Sequence, residues 1–385
     1  MKRLIVLIVL FLGLTTAASA QIGKTVAVPA GSDEDKALAP IYSAPDGPDK
    51  IALLDKFMTD YGKGDFELLG DQLYVQTYLA QKDYAKVYEY GDKVLKLDPD
   101  SLSAAVSVIR AADAQGDTPK LFDVGEKISA ILARFKASSA PEGTLPNQWA
   151  ATKEQALKDE DADISFVEYA LVNAASKTAD PASRVKLFER YAAAFPDSPY
   201  TLSVREQAAY AYQQLQNTAK MTETAQSILA ANPGDVSMLI LLADSLSDSD
   251  KQGDKATAYA QKALDALKDA KKPDNLTDDQ WQQQESLEKG IAYSTIGEVD
   301  VIKGKNAPAV DAFKLANPLL KSNNYYYGRN LYRLGFTLAK MQRHPEARTV
   351  LTEAIAVDSP YKAKALETVN KIGGPITKGS THKSS

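Results

Sequence analysis

Two stretches near the C-terminal end decide the reading of this chain: IGEVDVIKGKNAPAVDAFKLA (Ile296–Ala316) and LGFTLAKMQRHPEARTVLTEAIAVD (Leu334–Asp358). Aligned on Ala309 and Ala347, Ile296-Gly297 falls on Leu334-Gly335, Phe313 on Leu351 and Ala316 on Ala354, all at one constant offset. Each stretch has the apolar spacing of two helices, A and B, joined by a short turn. A glycine inside a helix costs about 1 kcal/mol against alanine. Its appearance at equivalent points of both A helices therefore predicts a close approach by a neighbouring helix. Ala309 and Ala347 are the matching small residues on helix B, and Phe313 and Leu351 fill the space between units.

Working outward, the pattern recurs. LYVQTYLAQKDYAKVYEYGDKVLKLDPDS (Leu73–Ser101) turns at Gln81–Asp83, with Tyr84, Val87, Tyr88, Val94 and Leu95 on its helix B. The next unit turns at Gly116-Asp117, with core positions Val108, Ile109, Ala112, Leu121, Gly125 and Ile128. After an interruption, Leu171, Val172 and Ala175 pair with Val185, Phe188 and Tyr191. Further on, Ala208, Ala209 and Tyr212 pair with Met221, Ala225 and Ile228, and Leu242-Ala243 with Ala256, Ala260 and Ala263. Thr277 is placed as the N-cap of a helix containing Trp281. Val357 to Lys371 reads as a closing helix that buries Ala365, Leu366, Val369 and Ile372, since a terminal repeat must cover its last apolar face.

These recurrences, over Ile51–Ile372, resemble the tetratricopeptide repeat family, whose period is about 34 residues. The resemblance implies an all-α fold, a right-handed α-solenoid of antiparallel helix pairs. It also implies a concave groove, lined by the A helices, that receives a protein or peptide segment.

Around this array the expected organisation is an export signal (residues 1–20), a flexible leader (21–48) with a short helix around Asp33 to Leu38, and a first helical block (49–136). A loop (137–148), a second array with its closing helix (149–372) and a disordered tail (373–385) follow. The signal consists of Lys2 and Arg3, an apolar run from Leu4 to Leu14 too short to span a bilayer, and the small-x-small site Ala18-Ser19-Ala20. Cleavage is expected after Ala20, the alternative being an uncleaved anchor. The expected location is periplasmic or secreted, with membrane contact only through the signal.

Composition narrows the chemistry. Among 385 residues, 45 Lys and Arg face 50 Asp and Glu, without the basic excess a nucleic-acid binder needs. There is no cysteine, hence no disulfide, thiolate metal site or cysteine nucleophile. Of two histidines, His344 falls beside Pro345 and His382 in the tail, neither near a nucleophile with an orienting carboxylate. Asp248–Tyr259 has a calcium loop's first acids and glycine, but Tyr259 stands where a bidentate glutamate is needed. No catalytic residue, metal or cofactor is expected, and the chain is read as a non-catalytic scaffold for an unidentified protein or peptide partner. The alternatives are an enzyme or small-ligand binder on a helical scaffold, and a self-associating envelope protein.

By the alignment, the groove-facing positions are Gln72, Gln76, Arg110 and Asp113 in the first units. They are Asn173, Lys177, Glu206, Tyr210, Gln213 and Gln214 in the middle, and Glu298, Arg329, Arg333, Phe336 and Lys340 at the end. Arg329, Arg333 and Lys340 fall on one helical face around Phe336. This arrangement resembles half of the family's carboxylate clamp, with Thr295 where the clamp has asparagine and no partner lysine earlier, and that resemblance implies an acidic partner; the alternative is a solvated or locally salt-bridged basic stripe. Tyr325–Tyr327 are read as preceding that helix and packing between units, the alternative being stacking on a ligand.

Overall fold

The computed structural model describes residues 22–274 and 276–373, and these form eighteen α-helices with no strand among the described residues. The all-α, helix-pair reading holds. The export signal and residues 374–385 of the tail lie outside the described residues. The chain divides into two compact units, one ending at Thr201 and the other beginning at Leu202.

The first unit contains α1 (Asp33–Ser43), α2 (Pro48–Tyr61), α3 (Asp65–Ala80), α4 (Tyr84–Leu97), α5 (Leu102–Gln115), α6 (Thr118–Ala137), α7 (Pro146–Asp159), α8 (Asp161–Lys177) and α9 (Pro181–Ala194). The short helix read in the leader around Asp33 to Leu38 is α1, which runs on to Ser43 and packs on the helices that follow instead of staying flexible. Leu38 and Ile41 of α1 are buried with Leu54, Phe57 and Tyr74. The Lys24 amide donates to Asp98 Oδ2 at 2.7 Å, and Ile22 is buried. Few apolar residues suffice here because α2 and α3 supply a prepared surface for them.

The pattern break near residues 137–148 falls largely between α6 and α7. It holds a short loop and the start of α7, and α6 continues to pack on α8 and α9. A Cβ at Gly125 would lie 2.8 Å from Leu171 Cδ1, and Arg190 of α9 reaches Asp123 and Glu126 of α6 at 2.8 and 2.6 Å.

The second unit contains α10 (Thr201–Gln214), α11 (Thr218–Ala231), α12 (Val236–Leu246), α13 (Gly253–Ala266), α14 (Asp278–Ile302), α15 (Asn306–Leu319), α16 (Asn324–Lys340), α17 (His344–Ala356) and α18 (Lys362–Lys371). One core runs from Leu239 to Val369, with Phe313 and Leu351 fully buried in it. The glycine argument is met: a Cβ at Gly297 would lie 2.6 Å from Phe313 Cε1, and one at Gly335 2.5 Å from Leu351 Cγ. Thr277 caps α14 in a reciprocal capping box with Gln280. In α18, Ala365 and Val369 are buried, but Leu366 is 43% exposed, so the closing helix covers the array with a narrower face than expected.

Five A-to-B turns share one backbone solution. Lys82, Gly116, Gln216, Gly304 and Gln342 each adopt positive φ. The next residue's amide then reaches back five positions, as Asp83 to Tyr78, Asp117 to Ala112, Asn217 to Tyr212, Lys305 to Asp300 and Arg343 to Leu338, at 2.8–3.0 Å. This closes helix A by satisfying a carbonyl left open at its end. At Asp83, Asp117 and Asn217 the side chain then caps helix B.

Candidate functional site

In the second unit, α10, α12, α14 and α16 are the A helices, and together they line a cavity of about 330 Å³. Tyr210 and Gln213 enter it from α10. Ser237, Ile240, Leu241 and Asp244 come from α12, Gln284, Leu287, Glu288 and Ile291 from α14, and Tyr326 from α16. Of the expected site residues, Tyr210 and Gln213 therefore reach one cavity. The Tyr210 hydroxyl donates to the Ser237 carbonyl at 3.5 Å, while the residue stays 39% exposed. Burial pushes the phenol of Tyr210 up, and that of Tyr326 up to about 12, so both remain protonated.

The arginine stripe follows the salt-bridged alternative rather than the clamp. Arg329 and Arg333 do share a face of α16, but they are spent inside the protein. Arg329 donates through Nη1 and Nη2 to both carboxylate oxygens of Asp244, and the two side chains are only 7% and 9% exposed. Arg333 reaches Asp248 at 2.6 Å and Glu298 at 3.0 Å. A ligand carboxylate would have to displace these internal ones, so a ready clamp for an acidic partner is corrected to a structural bridge from α12 and α14 to α16. Burial raises the Glu298 carboxyl, against the lowering charge of Arg333. Asp248, first residue of the calcium-like loop, accepts from Arg333 instead.

Phe336 is 40% exposed and tilts against Tyr332 at 6.0 Å, and Lys340 is exposed at the end of α16. Tyr325, Tyr326 and Tyr327 do not precede this helix but form its first turn, capped by Asn323. Tyr326 faces the cavity, and the Arg329 guanidinium lies 4.9 Å from its ring centroid. Tyr327 is buried and donates to Glu353.

The sequence places Glu206 in the groove but does not reveal its companions. Glu206 of α10 faces Asp235, the N-cap of α12, and burial with that neighbouring charge pushes the Glu206 carboxyl up to about 7. Glu288 is 9% exposed, and burial raises it too. Gln284 and Glu288, one helical turn apart, are a polar pair on the A face of α14, and that spacing is the signal that could have found them.

In the first unit, Gln72 and Gln76 line a shallow cleft with Ser103 and Ser107, and Arg110 pairs with Asp163 of α8. Asp113 and Lys177 are exposed and Asn173 is half-buried.

No family model matches the sequence, and no curated protein sequence matches it. Solved structures do resemble it in fold. The APC/C hetero-tetramer Cut9-Hcn1 matches over 88% of this chain and 55% of its own, at 13% identity and a TM-score of 0.43. Yeast Tom70 matches over 91% of this chain and 66% of its own, at 13% identity and 0.40. The P58(IPK) TPR domain matches over 89% and 98%, at 13% identity and 0.31. The chain thus spans between half and two thirds of the first two.

Proposed function

We propose that this chain is an exported, non-catalytic scaffold that holds an extended segment of a partner protein along the A-helix groove of its second unit. The observation that carries this reading is the cavity built from four successive A helices, α10, α12, α14 and α16. Its lining mixes aromatic and aliphatic walls with amide and hydroxyl groups, the composition of a recognition surface. Tyr210 and Phe336 remain partly exposed on the A helices, where burial by a ligand would gain free energy. A groove formed by packed helices is ordered beforehand, so binding costs the scaffold little entropy. Export is supported by the basic, apolar and small-residue succession of residues 2–20. N-terminal sequencing of the protein purified from its host tests that part, and a first residue other than Gln21 contradicts it.

Panning a random peptide display library on the intact protein tests the groove. Enriched peptides are expected to lose about tenfold or more in affinity on Tyr210→Ala or Phe336→Ala. They should keep it on Leu315→Ala, an exposed residue of helix B that is 56% accessible. Failure to enrich any peptide, or equal loss on all three variants, overturns the reading.

A further inference from the structure

The A-helix cavity is unbalanced in charge. The two guanidinium groups beside it are already engaged, Arg329 by Asp244 and Arg333 by Asp248 and Glu298. Glu288 lines the cavity, is 9% exposed and accepts from Gln284 Nε2 at 3.1 Å. Among the described residues no lysine or arginine forms an ion pair with Glu288, Glu206 or Asp235. Asp235 has the amide of Met238 at 3.0 Å, a helix N-cap bond, while Glu206 faces Asp235 as a second acid. Holding a carboxylate away from water without a counterion is unfavourable. A cavity that keeps one open to a ligand is therefore suited to a ligand that brings the opposite charge.

The rest of the lining says which kind of cation. Tyr210 and Tyr326 offer aromatic surface, and Leu287 and Ile291 offer aliphatic surface. Such walls suit a cation on a long hydrocarbon stem, whose methylenes pack while its head meets a ring face or a carboxylate. The protein already uses one of these walls in this way, since the Arg329 guanidinium sits 4.9 Å from the Tyr326 ring centroid. A small hydrated metal ion is a poorer fit, because among the described residues no group of three acids or histidines converges.

We propose that this cavity takes the side chain of a lysine or arginine from the bound segment, with its stem against Tyr210 and Leu287 and its charge on Glu288. This rests on the groove reading above and reverses the acidic partner that the arginine stripe implies.

The test is a charge-swap cycle on a library-selected peptide. Each Lys and Arg of the peptide is replaced by Gln in turn, and affinity is measured on the wild type and on Glu288→Gln. One position is expected to lose about tenfold or more on the wild type, the value of a charge-assisted hydrogen bond, and less than about twofold on the variant. Thermal melting checks that Glu288→Gln folds. Should it not, Tyr210→Leu replaces it, and the same peptide position is expected to lose about threefold less there than on the wild type. If a peptide protects α10, α12, α14 and α16 from hydrogen exchange but no cationic position shows this coupling, the cation inference falls and the groove reading stands. If no peptide protects those helices, both fall.

Discussion

Arg329 and Asp244, 85 positions apart in the chain, form a two-bond ion pair whose side chains are 7% and 9% exposed. The pair ties α16 to α12 across the intervening hairpin. Breaking a buried pair by removing one partner leaves an uncompensated charge, at about 3–5 kcal/mol. Asp244→Ala and Arg329→Met are each expected to destabilise the second unit on that scale in urea unfolding. The double substitution Asp244→Leu with Arg329→Met should cost less than either single change. A double variant as unstable as the sum of the singles contradicts the pairing.

Gly297 and Gly335 make the next prediction, because two effects oppose each other there. Alanine raises helix propensity by about 1 kcal/mol. A Cβ at these sites would stand 2.6 Å from Phe313 and 2.5 Å from Leu351, both fully buried. Overpacking of this kind costs about 1–3 kcal/mol, and the ring and branched side chain have no room to retreat. Gly297→Ala and Gly335→Ala are expected to lower the melting temperature. A rise would mean that no helix presses on these positions.

At the A-to-B turns, side-chain-bearing residues hold a conformation that glycine holds without steric cost. Gln216 and Gln342 have φ of 55° and 57°, where Gly116 and Gly304 stand in sister turns. Left-handed backbone costs an L-residue about 1–2 kcal/mol, part of which glycine gives back as unfolded-state entropy. Gln216→Gly and Gln342→Gly are expected to stabilise by up to about 1 kcal/mol, read as a shift of the urea midpoint to higher concentration.

The Glu206 carboxyl predicts a pH dependence. Burial and the charge of Asp235 push it up to about 7 from an ordinary 4.5. Asp235, the N-cap of α12, faces it and is itself near Glu288 of α14, and Tyr210 of Glu206's own helix lies nearby. The folded state therefore holds this proton more tightly than the unfolded state. Its contribution to stability is fully present below pH 4.5 and is lost as pH rises through about 7. Against the wild type, Glu206→Gln should gain stability progressively across that window. A difference in unfolding free energy that stays constant with pH contradicts the assignment.

Much of the fold is readable before any coordinates. Glycine and alanine recur because hairpins must nest, and turn residues such as Gly116-Asp117 and the cap Thr277 carry their own backbone requirement. The leader's short helix is readable but its docking is not, because Leu38 and Ile41 are few and polar-flanked, and their burial depends on a surface made by α2 and α3. The sequence puts the arginine stripe on the right face and leaves a clamp and a local salt bridge both open, without naming the internal acids. Asp244 and Asp248 carry the same four-residue spacing as Arg329 and Arg333, and that matched spacing is the available signal for an internal bridge. The cavity itself comes from helices as distant in the chain as those of Tyr210 and Tyr326, a separation that local periodicity does not register.

The central claim is that the A-helix face of the second unit receives an extended segment. Hydrogen exchange measured with and without a library-selected peptide tests it most directly. The account predicts slowed exchange in α10, α12, α14 and α16, around Tyr210, Leu241, Glu288 and Tyr326. Slowing confined to α11, α13, α15 and α17, or to the first unit, would contradict it.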